Sequence, residues 1–368
     1  MDSAPRPIAF FLPSLCGGGA ERVIVNLAHG ITERGFPVDL VVAAAEGPLL
    51  EQLQPAVRLV DLRAGRALRS LGPLTGYLRR ERPRVLISSM SHANVVALWA
   101  AKLARRGTPV LATVHNTMSQ STGEQGPIAR RLWPHLLRAF YPQASFVVAV
   151  SQGAAEDLAR TSGLPLDRVR VVYNPVITPA IVALARQVPH HPWFAPGAPP
   201  VILGAGRLTR QKDFPTLIRA FAEVRRHRAV RLIILGEGDE RPALERLVGQ
   251  LGVADDVALP GFQENAMGFM GGSALFVLSS AWEGLPTVLI EALAAGTQVV
   301  STDCPSGPRE ILQGGKLGAL VPVGNVAALA AAIRDALDRP PDPVPLDALT
   351  PFTRDAAVDH YLRLIENA

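Results

Sequence analysis

Two short apolar runs, each leading straight into a glycine turn and then a helical pattern, constrain the fold of this 368-residue chain more than any other feature. The first is P-I-A-F-F-L-P (7–13), followed by Cys16-Gly17-Gly18-Gly19-Ala20-Glu21-Arg22 and a helical spacing through Val23, Val25, Leu27 and Ala28. The second is Val201-Ile202-Leu203, followed by the turn 204–213 (G-A-G-R-L-T-R-Q-K-D) and a helical spacing through Leu217, Ile218, Ala220 and Phe221. A short apolar run without alternation is how a strand covered on both faces reads. Further runs follow each start: 38–43, 57–61, 85–89, 110–114, 146–150 and 169–172, then 232–235, 257–259, 275–278 and 299–303. Helical segments separate them. This β-α-β alternation predicts two doubly wound parallel α/β sheets, whose ligands gather at the carboxyl ends of the strands.

With 48% hydrophobic and 19% charged residues, the chain can build two domains with their own cores. The expected division is 1–186, a Pro-rich linker at 187–200 (Q-V-P-H-H-P-W-F-A-P-G-A-P-P), 201–350, and a final helix within 351–368. Two cysteines, Cys16 and Cys304, are too few for a disulfide framework and point to a reducing compartment. The first residues read poorly as a signal peptide, and no apolar run reaches about 18 residues. A cytoplasmic protein is expected. Residues 1–180 hold 20 Arg/Lys against 12 Asp/Glu, while 181–368 hold 17 against 20. The basic first half calls for an anionic partner: phosphate, anionic lipid or nucleic acid.

The chemistry concentrates at 281–296, A-W-E-G-L-P-T-V-L-I-E-A-L-A-A-G. Pro286 suits a first helical turn, and Gly296 ends the helix. Apolar letters on every face predict a buried helix, so Glu291 inside it needs hydrogen-bond donors. A structural ion pair is the bland reading of one such Glu. A second, Glu283, lies just ahead of the helix, with Gly284 and Pro286 shaping the loop. Carboxylates only accept hydrogen bonds and suit sugar and ribose hydroxyls, while helix-start amides favour phosphate. A nucleotide sugar presents all of these groups. Upstream, Arg207 and Lys212 beside a glycine turn suit a diphosphate. The Gly17-Gly18-Gly19 turn can also cradle an anion, although it matches neither the dinucleotide fingerprint nor the Walker loop.

The segment E-G-L-P-T-V-L-I-E-A-L-A-A-G closely resembles the E-x7-E motif of glycosyltransferase family 4, retaining enzymes of the GT-B fold with two Rossmann-like domains facing across a cleft. The resemblance covers most of 7–330. It implies that Arg207 and Lys212, as G-R-x4-K, neutralise the leaving nucleoside diphosphate, and that Glu291 holds ribose hydroxyls. Glu283, with Gly284 and Leu285, would hold the donor sugar. Gly261 and Phe262 would border the nucleobase. Gly17, Gly18 and Gly19 would face donor phosphates and acceptor, and His115 would stand by the donor sugar near the reaction centre. His92 and Asn94 are weaker candidates for the acceptor pocket. The final helix would return to the first domain. S-G-P-R-E (306–310) and L-V-P-V-G-N (320–325) are similar to bacterial members acting on lipid-linked oligosaccharides and surface polysaccharides.

The expected reaction is transfer, with retention, of a hexosyl or N-acetylhexosaminyl group from a nucleoside-diphosphate sugar, with UDP favoured, to a hydroxyl of a glycan or lipid-linked glycan. The family's usual mechanism makes the leaving phosphate the base. No D-x-D pair or His/Cys ligand spacing occurs, so no metal and no further cofactor is expected. The segment 127–141, with Arg130, Arg131, Trp133 and Arg138, suits either an ordinary surface helix or peripheral docking on the inner face of the membrane. Nucleic acid is not expected, since aromatic and basic residues do not interleave. The alternatives are a GT-B epimerase or phosphorylase, and a noncatalytic nucleotide-sugar-binding protein. The sequence does not set the oligomeric state.

Overall fold

The computed structural model describes residues 5–121, 127–187, 189–340 and 342–368. They form two units, Met1–Val176 with Pro351–Ala368, and Ile177–Thr350.

The first unit holds seven strands: β1 (Ile8–Leu12), β2 (Val38–Val42), β3 (Val57–Asp61), β4 (Val85–Ser89), β5 (Val110–Val114), β6 (Phe146–Ala149) and β7 (Val169–Val171). They pair in parallel in the order β3-β2-β1-β4-β5-β6-β7. β1 is buried along its whole length, as a central parallel strand requires. Its side chains alternate between two cores. Ile8, Phe10 and Leu12 join the helix Gly19–Glu33, while Ala9 and Phe11 face the helices Leu71–Glu81 and Ser91–Ala104.

The C-terminal helix Arg354–Glu366 completes the first of these cores through Ala357, Val358, Tyr361 and Ile365. A Cβ on Gly30 would stand 2.6 Å from Val358 Cγ2, so only glycine lets the two helices come this close. Arg34 reaches Asp359 at 2.5 Å and Arg354 reaches Glu33 at 2.6 Å.

The second unit holds β8 (Val201–Ala205), β9 (Arg231–Leu235), β10 (Val257–Gly261), β11 (Leu275–Leu278), β12 (Val299–Thr302) and β13 (Ala319–Val321), parallel in the order β10-β9-β8-β11-β12-β13. Both sheets therefore have a point where strand order reverses, between β1 and β4 and between β8 and β11. The chain passes between units at 176–177 and 350–351. The stretch read from sequence as a linker, 187–200, is instead part of the second unit. Its aromatics explain this: Phe194 packs edge-on against Phe269 at 5.7 Å, and the Arg231 guanidinium lies 4.9 Å over Trp193.

The helix of the carboxylate block spans Thr287–Ala294, with Pro286 at its N-cap and Gly296 at φ 78° just beyond its end. It is not buried all round. Leu289, Ile290, Ala292 and Leu293 are buried, whereas Val288, Glu291, Ala294 and Ala295 are partly exposed. Within its unit the helix rests one side on the sheet, and small apolar letters on the other side do not by themselves bring a cover.

Candidate functional site

In the second unit the groups singled out by sequence lie on the segments that follow β8, β10 and β11, and the structure brings Lys212 and Glu283 into contact. Gly206 follows β8 with φ 152°, and a Cβ there would lie 2.9 Å from Lys212 Cε, so the lysine stem runs across the glycine. Gly236, after β9, has φ 126°, and its missing Cβ would stand 2.1 Å from the Gly206 carbonyl oxygen. That contact fixes the turn from behind, because any side chain at 236 would strike backbone. Arg207, at the tip, is exposed and forms no ion pair with any described residue.

Lys212 ends the short 3-10 helix Arg210–Lys212. Its Nζ lies 2.5 Å from Glu283 Oε1, with the two side chains 15% and 6% exposed. Ser280 Oγ donates to the same oxygen at 2.6 Å. The loop that carries Glu283 is tied to the lysine turn by Ala281 N to Gln211 O (2.8 Å), Gln211 Nε2 to Trp282 O (2.9 Å) and Ser279 Oγ to Lys212 O (2.7 Å). Glu283 N donates to Pro305 O at 3.2 Å. Behind it Gly307, at φ 92°, leaves no room for a Cβ, which would stand 2.5 Å from Pro286 Cδ. Removing one partner of such a covered pair strands the other charge, at about 3–5 kcal/mol.

The sequence treated Lys212 and Glu283 as separate groups; the structure joins them. Of the two glutamates, Glu283 is the buried one and Glu291 is partly exposed. Gly284 and Leu285 are buried in the same loop. Phe262, after Gly261 at the end of β10, is 68% exposed, a flat apolar face presented to solvent. Cys304 is buried beside the pair. Its thiol is pushed up to about 12, mainly by burial and then by the charge of Glu283, so it stays protonated and inert.

In the first unit the turn after β1 is built differently. Gly17 has φ 94°, Gly18 is the N-cap and Gly19 begins the helix Gly19–Glu33. Glu21, 7% exposed, folds back so that its Oε2 lies 2.3 Å from where a Gly18 Cβ would stand. The turn thus holds a carboxylate of its own, which the helix start supports by about 0.3–1 kcal/mol.

His115 follows β5. Its Nε2 lies 2.8 Å from Ser89 Oγ and 3.2 Å from Thr113 Oγ1, while its Nδ1 is buried without a partner among the described residues. Burial lowers the ring to about 4, so it is neutral at pH 7 and acts as a hydrogen-bonding group. Asn94 is fully buried and donates to Thr113 O (2.9 Å) and Tyr141 Oη (3.1 Å), while its Oδ1 is buried without a partner among the described residues. His92 is exposed at the start of the helix Ser91–Ala104. The side chains of Arg130, Arg131 and Trp133 lie outside the described residues.

Residues 17–178 match the family model described as Glycosyltransferase Family 4, and residues 189–347 match Glycosyl transferases group 1. The chain thus joins a glycosyltransferase family 4 domain to a glycosyl transferases group 1 domain. This transferase is 29% identical to the lipopolysaccharide core biosynthesis glycosyltransferase LpsE of Rhizobium meliloti, over 95% of this chain and 96% of that one. It is 27% identical, over 90% of both, to a Campylobacter jejuni 4-alpha-N-acetylgalactosaminyltransferase named for a diphospho-undecaprenol substrate. In fold it is similar to Anabaena HepE in complex with UDP and glucose, with a TM-score of 0.79 at 21% identity over 99% and 100% of the two chains. WaaG, a glycosyltransferase involved in lipopolysaccharide biosynthesis, gives 0.69 at 18% over 98% of both.

Sequence reasoning missed several residues that shape these two turns and the loop around Glu283. Ser280 precedes Glu283 by three residues, a spacing at which a hydroxyl can reach back to a carboxylate. Gly236 and Gly307 carried no signal, because a glycine demanded by a distant backbone looks like any turn glycine. Glu21 stands three residues after Gly18, the spacing of a capping box, and that signal was present.

Proposed function

We propose that this family 4 enzyme transfers a hexosyl or N-acetylhexosaminyl group from a UDP-sugar, with retention, to a hydroxyl of a lipid-linked or polysaccharide glycan. The observation that carries the reading is the Lys212–Glu283 pair at the ends of β8 and β11, beside the exposed Arg207. Breaking an anomeric bond to a diphosphate leaves negative charge on the departing group. Preplaced cations lower that barrier more than any other device available to these residues. Arg207 offers a fork of donors and Lys212 a point charge held by Glu283, whose carboxylate Ser280 steadies. Glu283 in turn can accept from a sugar hydroxyl, and Phe262 offers a face for a base. With cations of its own, the site needs no metal. The UDP in HepE supports the nucleotide, and the names of the bacterial relatives support the acceptor class.

A panel of UDP- and GDP-sugars, assayed for nucleotide release with and without EDTA, tests the reading. Release of UDP that survives EDTA and falls by about 10²–10³-fold in Lys212→Ala and Glu283→Ala is the expected result. Unchanged release in both variants defeats the residue roles.

We further propose that an anionic membrane surface is a partner of the first unit, through a patch other than the 127–141 segment. On the helices of the first unit, Leu68, Trp99 and Leu103 are 74%, 46% and 50% exposed, with Arg79, Lys102, Arg105 and Arg106 also exposed nearby in sequence or structure. Arg79 Nη2 donates to Leu103 O at 2.8 Å, and Trp99 meets Phe140 edge-on. Exposed apolar side chains with exposed cations close in sequence suit a headgroup layer. Co-sedimentation with phosphatidylglycerol vesicles at low salt is the check, and no binding there removes the docking surface.

A further inference from the structure

The two ring nitrogens of His115 stand in opposite surroundings. Nε2 faces two hydroxyls, while Nδ1 is buried without a partner among the described residues. Strand register sets the hydroxyls. Ser89 on β4 pairs with Thr113 on β5, and positions two apart along a strand share a face, so Thr113 and His115 project together. The two hydroxyls are not equivalent. Thr113 Oγ1 gives its single proton to Ser88 O at 2.9 Å, so toward His115 Nε2, 3.2 Å away, it turns only lone pairs. Ser89 Oγ, 2.8 Å from the same nitrogen, can either give or take a proton. Asn94 Nδ2 donates to Thr113 O at 2.9 Å and holds that residue in place.

We propose that Thr113 is a positioning residue that fixes His115 as the Nε2–H tautomer and so leaves Nδ1 as a bare acceptor for a substrate hydroxyl. An Nε2 without hydrogen would set its lone pair against that of Thr113 Oγ1, whereas Nε2–H donates to Thr113 and Ser89 alike. A neutral imidazole carries one N–H, so placing it on Nε2 strips Nδ1. Burial holds the ring at about 4, which keeps it neutral at pH 7 and leaves a lone pair rather than a second N–H at Nδ1. A covered acceptor without a donor is costly, and an O–H or N–H that reaches it recovers the loss. Groups that bring only lone pairs, such as a phosphate or carboxylate oxygen, gain nothing there. The identity of that donor as a substrate hydroxyl rests on the transferase reading; the tautomer and the part of Thr113 in it do not.

Long-range proton–nitrogen correlation NMR of the histidine rings, in the full chain at neutral pH, reads the tautomer without any substrate, and His115→Gln assigns the signal. In the wild type, Nε2 should be pyrrole-type and Nδ1 pyridine-type. Thr113→Val keeps the shape of the side chain but removes the oxygen. Ser89 is then free to donate, and the ring should shift toward Nδ1–H. Thr113→Ser restores the oxygen and should restore the wild-type pattern. Ser89→Ala leaves Thr113 in place and should keep Nε2–H. An Nδ1–H ring in the wild type, or a ring that Thr113→Val leaves unchanged, overturns the proposal. Kinetics then test the substrate. With UDP-glucose and UDP-N-acetylglucosamine as probes, Thr113→Val should lower kcat/KM for nucleotide release by about fivefold to tenfold, and Thr113→Ser should recover it. A tautomer that shifts while kcat/KM stays constant overturns Nδ1 as a substrate acceptor. No nucleotide release from any UDP-sugar in the wild type would instead defeat the transferase reading, with the ring signals still deciding the tautomer, so the two failures are distinguishable.

Discussion

The two glycine turns, 17–21 after β1 and 206–213 after β8, occupy equivalent places in two sheets of the same kind, yet they carry opposite charge. The first folds Glu21 over Gly18; the second lays the stem of Lys212 over Gly206 and leaves Arg207 exposed. Two glycine turns in equivalent places thus differ in the side chain that crosses them, an acid in one and a base in the other.

The largest effect expected from this contrast is on catalysis. Lys212→Ala should lower nucleotide release by about 10²–10³-fold, whereas a change of similar size at Gly19, which has nothing within 4 Å of its missing Cβ, should not approach that. Comparable losses from Gly19→Ala and Lys212→Ala in the same steady-state assay would erase the distinction between the turns.

Stability separates them next. Gly236→Ala forces a Cβ to within 2.1 Å of a backbone oxygen at φ 126°, while Gly18→Ala meets only the end of a flexible Glu21. The first should cost about 1–3 kcal/mol or more in urea unfolding, and the second clearly less. Equal losses would mean that Glu21 is held as rigidly as backbone.

A third test concerns the first unit alone. Burial holds His115 at about 4 against an ordinary 6.5, so the unfolded chain takes up the proton first. Its contribution is complete above about pH 6.5 and is lost as pH falls toward about 4, on the order of 3 kcal/mol in all. Unfolding midpoints of the wild type and His115→Gln should therefore converge as the solution is acidified through that window. Parallel curves would show that the ring is not held neutral.

The smallest effect belongs to Ser280→Ala, which removes one donor to Glu283 at a cost of about 1–2 kcal/mol, read as a drop in the unfolding midpoint. A double-mutant cycle with Lys212→Met would show whether the hydroxyl and the ammonium support the carboxylate independently.

The architecture was legible because central parallel strands leave continuous apolar runs, as at 8–12 and 201–205, and because helical spacing separates them. The residue types of the site were legible too: Arg207, Lys212, Glu283 and Phe262 all stand at strand ends in the second unit. Their relations were not. No spacing rule brings Lys212 to Glu283 across 71 positions, since that distance is closed by β9, β10 and β11. Burial of Glu291 was overestimated because apolar composition was taken to mean cover. The linker was misplaced because proline marks both hinges and packed irregular chain, and His191, Trp193 and Phe194 decide for the latter.

Gly30 and Val358 meet within one core although 328 positions separate them. The first unit is therefore assembled from both flanks of the chain, with the second inserted between. During synthesis every residue of Ile177–Thr350 emerges before Val358 and Tyr361 do. The inserted unit can finish folding while its host still lacks part of its wall, an order opposite to the one in which the sequence is read.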